Sequence, residues 1–174
     1  MNDAADLPPD PVRAARNKAF VLYEGTRTPH RSCGICLAET FGLVTRPYQS
    51  LRRGGLDGQG DCGAIKAGEL VLGEFLGDPD PTGGVTDALR GAMTRYREHW
   101  QRRLAGQVGE SIVCNTLTAP LGDFQGEARR HFCTRLASQA AAAVAQTLVE
   151  ARVNVVIDPP VLAPRDPEAP PAGR

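Results

Sequence analysis

The sequence predicts an all-α fold, on three observations. Apolar side chains recur at threes and fours rather than alternating. The recurrent stretches open at capping residues and close at glycines. Only one short β-branched run, Val153 to Ile157, reads as extended. One short strand does not make a sheet, so the expectation is a single compact bundle of about five to six helices. That domain spans 10–157, between a flexible tail, 1–9, and a disordered Pro-rich tail, 158–174, which holds six of the fourteen prolines.

The first helix begins at Asp10-Pro11, an N-cap followed by proline at the first helical position. Val12, Ala15, Ala19, Leu22 and Tyr23 share one face until Gly25 ends it. Ser32 is placed to cap a second helix through Cys33, Cys36 and Leu37 toward Gly42, and a short third follows Pro47 to Leu51. A glycine-rich loop, Gly54 to Gly60, then leads to Asp61, read as the N-cap of a helix from Cys62 to about Phe75. The clearest amphipathic stretch carries Val85, Leu89, Met93, Tyr96, Trp100 and Leu104 and closes at Arg102, Arg103 and Gly106; Tyr96 and Trp100 read as core packing. Asp123 is read as the cap of the last long helix, with Phe132, Leu136, Ala140, Val144 and Leu148 as its buried stripe and Cys133 beside that stripe.

Composition narrows the function classes. A chain of 174 residues suits one core. Twenty basic and twenty acidic side chains cancel, without a basic run, which argues against a nucleic-acid partner. Met1 to Asp10 lacks the apolar core of a signal peptide and no stretch approaches a membrane span, so a cytoplasmic protein with no membrane partner is expected. In that reducing compartment five cysteines, an odd number, point to redox or metal chemistry rather than to structural disulfides.

Cys33-Gly34-Ile35-Cys36 is a C-x-x-C at a helix start. There, free N–H groups and the helix dipole favour a thiolate, and two sulfurs on one turn suit a disulfide or two metal ligands. Cys62 stands at a second helix start behind the glycine-rich loop, whose N–H groups are positioned to shelter an anion or a cluster sulfide. Cys114 and Cys133 add sulfurs from two further segments. Arg129, one helical turn before Cys133, is placed to offset the raised pKa of a buried thiol. No histidine follows Cys36, which excludes covalent haem attachment, and the loop has neither a preceding strand nor a Gly-Lys-Ser/Thr ending, which argues against a nucleotide. His30 and His131 lie near cysteines, but neither has motif spacing, and solvated side chains are the simpler reading.

Taken together, this spacing resembles the family called C-GCAxxG-C-C, regarded as redox-active and including selenoproteins. The likeness covers about Cys33 to Glu150. Cys33 or Cys36 takes the place of the family's first cysteine, Cys62-Gly63-Ala64 matches Cys-Gly-Ala, and Cys114 and Cys133 match the third and fourth cysteines. Two departures are Ala67 where the family has glycine, with Gly68 beside it, and the extra cysteine. A similar cysteine arrangement accompanies an iron–sulfur cluster in the non-haem part of split-Soret cytochromes.

The leading expectation is thiol–disulfide exchange or electron transfer. Cys33, Cys36 and Cys62 are its reacting sulfurs, and the more exposed of Cys33 and Cys36 attacks while its neighbour resolves. Cys114, Cys133, Gly60 and Gly63 support the centre or a cofactor. The alternative is a non-enzymatic iron–sulfur module in which four thiolates from Cys33, Cys36, Cys62, Cys114 and Cys133 are ligands; a zinc site ranks third. A redox partner protein is implied, and small side chains on the Cys62 helix are compatible with a homo-oligomer.

Overall fold

The computed structural model describes residues 10–162, and it is all-α. Six α-helices follow in chain order: α1 (Pro11–Glu24), α2 (Cys33–Thr40), α3 (Gly63–Leu76), α4 (Asp87–Arg103), α5 (Cys114–Thr118) and α6 (Glu127–Glu150). Short 3-10 turns at Arg46–Leu51 and Ala119–Leu121 complete the helical content.

α1 forms as its sequence dictates: Asp10 accepts from Val12 N at 3.0 Å, Pro11 sits at the first position, and Gly25 ends the helix at φ +78°, where a Cβ would stand 2.9 Å from His30 Cβ. Three other helix starts differ from expectation, each for a local reason. Asp61 does not cap α3; it is held in an antiparallel bridge with Val113, so Cys62 becomes the N-cap. Val85 is exposed ahead of α4, whose cap is Thr86: its hydroxyl donates to Leu76 O at 2.6 Å and accepts from Leu89 N at 3.0 Å. Asp123 is used up in its own turn, accepting Gln125 N on its side chain and Gly126 N on its carbonyl, so α6 starts at Glu127 behind Gly126.

The core is organised around α6, which packs on α1, α2, α3 and α4. Its second half is buried nearly all round, and Ala137, Ala140, Ala141, Ala142, Ala143 and Ala145 are inaccessible. Side chains this small let neighbouring backbones approach closely, and α1 answers with buried Ala15 and Ala19. Larger side chains close the layer: Leu22, Leu37, Ile65, Leu72, Tyr96 and Leu148, each worth about 1.5–3 kcal/mol on full burial if apolar. Tyr96 and Trp100 are core residues, as their spacing implies, and the Tyr96 hydroxyl donates to Ile65 O at 2.9 Å. This contact needs Gly68, where a Cβ would overlap the Tyr96 hydroxyl. Gly68 is thus the point of close approach on α3, and Ala67 beside it is buried.

Val153 to Ile157 runs extended with alternate residues packed on the core, and it pairs with no strand among the described residues. The expected tails fall on 1–9 and 163–174, outside the described residues, except that 158–162 lies along α1, where Asp158, Pro159 and Leu162 share a cavity with Ala14 and Val21. No described helix is long and apolar enough to cross a membrane.

Candidate functional site

Three helix starts, those of α2, α3 and α5, carry Cys33, Cys62 and Cys114 to one end of the bundle, and the second turn of α6 brings Cys133 to it. The glycine-rich loop arrives first. Arg53, Gly54 and Gly55 all have positive φ, a tight turn in which Gly54 is required because a Cβ there would sit 2.6 Å from Cys114 Cβ. The chain leaving the turn is laced to the segment before α5: Cys62 N donates to Ile112 O at 2.7 Å, Cys114 N to Gly60 O at 3.0 Å and Asn115 N to Gly58 O at 2.9 Å. This short antiparallel contact sets Cys62, the cap of α3, alongside Cys114, the first residue of α5. Gly60 therefore serves through its carbonyl. The loop is no anion cradle at Leu56, Gln59, Gly60 or Cys62, whose N–H groups are all spent inside the protein.

Cys33 opens α2 against the same structure. Its thiol donates toward Leu51 O at 3.6 Å, and a Cβ on Gly63 would stand 2.8 Å from its sulfur. Gly63 is thus the position that lets α2 and α3 bring Cys33 and Cys62 together. Cys133 completes the group from α6, half-buried beside Tyr23 of α1 and one turn beyond Arg129.

Cys36 is set apart. It is inaccessible and its thiol donates to Ala19 O of α1 at 3.2 Å. Of the C-x-x-C pair, Cys33 is the more exposed sulfur and the one at the convergence. A charge on Cys33 is felt at each of the other four cysteines. All five are free thiols.

The expectation of helix-start thiolates with lowered pKa is corrected by burial. Desolvation pushes Cys33 up, against the N–H groups of Arg53, Gly34 and Cys33 itself and the charge of Arg129. Burial and the Cys33 charge push Cys62 up, although the N–H groups of Ile65 and Ala64 oppose them. Cys36 rises for the same reasons, with Glu39 adding to them. The helix-start N–H groups are in place, but they lose to desolvation. Cys114 is raised by burial and by Cys33, with Arg129 and Arg53 pulling it down. Cys133 is raised by burial, and Arg129 and the Tyr23 hydroxyl oppose the rise.

Arg129, the partner that the helix spacing suggested, is the charge shared by Cys33, Cys114 and Cys133. It is held by stacking 3.4 Å from the centroid of Phe124 and by donating to Phe124 O at 3.0 Å, while Arg53 lies over the same ring at 4.5 Å. Tyr23, Phe124 and Arg53 are the members that sequence reasoning missed. His30 supports Tyr23, donating from Nδ1 to its carbonyl and meeting its ring edge-on at 4.9 Å. His131 is an exposed residue 3.8 Å from Glu127, apart from the sulfurs.

Among the described residues, no three His, Cys, Asp or Glu side chains are disposed to hold a metal ion. Thiols brought into one region of the fold have the chemistry to exchange electrons in pairs by forming a disulfide. No family model, curated protein or solved structure matches this chain.

Proposed function

We propose that this chain is a thiol redox protein of the C-GCAxxG-C-C kind, with Cys33 at the centre of a reacting group completed by Cys62, Cys114 and Cys133. The observation that carries the reading is the convergence of Cys33, Cys114 and Cys133, from α2, α5 and α6, on one arginine, with Cys62 of α3 set close to Cys33 across Gly63 and the fifth, Cys36, turned into the core. Two thiols of the group reduce the disulfide of a partner protein. A thiolate attacks one partner sulfur and expels the other, and a second thiolate then attacks the mixed disulfide, so two protein thiols become a disulfide and the partner disulfide becomes two thiols. Burial outweighs the pull of Arg129 and keeps the thiols protonated and quiet at neutral pH until a partner stabilises the thiolate, which suits a centre that reacts selectively.

The test is a thiol–disulfide titration of the protein purified without oxygen, with iron, sulfide and zinc quantified on the same sample. The expected result is a colourless protein with one two-electron couple that disappears in Cys33→Ser and persists in Cys36→Ala. Stoichiometric iron and sulfide with visible absorption would replace this reading by the cluster module, and a full titration in Cys33→Ser would remove Cys33 from the centre.

A further inference from the structure

The segment that follows α6 runs along α1, and the two enclose a cavity of about 500 Å³, within the range of small-ligand sites. Ala14 and Val21 of α1 form one wall, and Ile157, Pro159, Pro160 and Leu162 form the other. Lys18 lines the same space, one helical turn from both Ala14 and Val21. It is only 8% exposed, and no described residue takes a hydrogen bond or an ion pair from its ammonium. Among the described residues, the nitrogens sealed from solvent without a partner are the Nε of Arg95 and of Arg129. Lys18 Nζ is not one of them, so the little surface this residue keeps includes its charged end. A buried ammonium costs free energy unless it is paired. Burial pulls the Lys18 pKa below its ordinary value, and the more distant charges of Asp158 and Glu39 oppose that pull without cancelling it. Glu39 is committed to Arg31, and Asp158 stands exposed on the wall segment.

An uncompensated ammonium among apolar walls calls for a ligand with one negative charge and a hydrocarbon body. Asp158 also lines the cavity and would repel a second negative charge, which disfavours a phosphate or a dicarboxylate. Asn17 and Arg27, both exposed, line it too and offer further donors to a carboxylate. We propose that this cavity binds a medium-chain aliphatic monocarboxylate, with its carboxylate on Lys18 and its alkyl chain against Val21, Ile157 and Leu162. The site lies apart from the sulfurs, since none of its lining residues is a cysteine, and it does not depend on the thiol redox reading. The carboxylate supplies the partner that the fold withholds from Lys18, and the alkyl chain removes apolar wall from water.

The probes are octanoate, the shorter hexanoate and the uncharged 1-octanol, each titrated into the full chain by isothermal titration calorimetry. The expected result is saturable binding of octanoate at one site, about tenfold tighter than octanol, the worth of about one charge-assisted hydrogen bond. Hexanoate should bind more weakly than octanoate, by up to about fourfold for each methylene removed. Lys18→Met keeps an unbranched side chain and removes its charge; it should bring octanoate down to the level of octanol and leave octanol unchanged. Leu162→Asp, at an exposed position, should weaken both ligands and octanoate the more, which tests the location independently of how well Lys18→Met folds. Absence of saturable octanoate binding, octanol binding as tightly as octanoate, or an octanoate affinity unmoved in a folded Lys18→Met or in Leu162→Asp would each overturn the assignment.

Discussion

Two glycines on α3 should respond to the same substitution with opposite signs. At Gly68 an alanine Cβ would overlap the Tyr96 hydroxyl and Cζ and stand 2.9 Å from Val144 Cγ2. Tyr96 cannot yield cheaply, because it is fully buried and its hydroxyl is committed to Ile65 O at 2.9 Å. Overpacking costs about 1–3 kcal/mol and a stranded buried hydroxyl about 1–3 kcal/mol, offset by about 1 kcal/mol of helix propensity gained on replacing glycine. The net expectation for Gly68→Ala is a loss of about 3 kcal/mol, which for a chain of this length lowers Tm by about 6–12 °C. Gly73 lies on the same helix with nothing within 4 Å of its Cβ position. Gly73→Ala should therefore stabilise by about 0.5–1 kcal/mol. Urea unfolding followed by the fluorescence of Trp100, a buried residue on α4, measures both. If Gly68→Ala matched Gly73→Ala, the seating of Tyr96 against α3 would be wrong, and with it the contact that aligns α3 and α4.

Two further outcomes concern the sulfurs. Tyr23→Phe should move the pH profile of Cys133 alkylation to higher pH, because the hydroxyl favours the thiolate, whereas Arg129→Gln should move both Cys133 and Cys114; site-resolved mass spectrometry separates the two, and an unmoved Cys133 profile in both variants would dissociate these side chains from the site. Folding raises the buried thiols above the ordinary value of 9.0, so their contribution to stability is intact below that pH and is lost as pH rises from there toward the folded-state values. The denaturation free energy should fall above pH 9.0, and in Cys36→Ala the fall should be shallower by about 1.4 kcal/mol per pH unit. An identical slope in that variant would show that Cys36 ionises freely.

What the sequence reveals of this fold depends on whether a residue's partner is near in the chain. α1 is legible to the residue because Asp10, Pro11 and Gly25 act on adjacent backbone. α3 and α6 are legible as helices, but their caps are not, since Asp61 is claimed by Val113 and Asp123 by its own turn. At the site, spacing identifies Arg129 as a partner of Cys133 because both ride on α6. It cannot find Tyr23, which reaches Cys133 from α1, or Phe124, an isolated aromatic in a loop whose role is to hold two guanidinium groups. The same limit applies to Cys33 and Cys36. Their spacing makes them equals, and only the packing of α2 against α1 turns one sulfur to Ala19 O and leaves the other beside Gly63.

That division within the C-x-x-C also bears on how the chain acquires disulfides. In an unfolded chain, the shortest loops close most readily, and of all the cysteine pairs Cys33 and Cys36 enclose the fewest residues. Chance alone would join them first. The native arrangement spends the Cys36 thiol on a helix carbonyl and surrounds Cys33 with sulfurs drawn from distant stretches of chain. The bond that statistics favour before folding is thus the one the finished structure discourages, and a Cys33–Cys36 crosslink becomes a chemical record that a molecule was oxidised before its helices had docked.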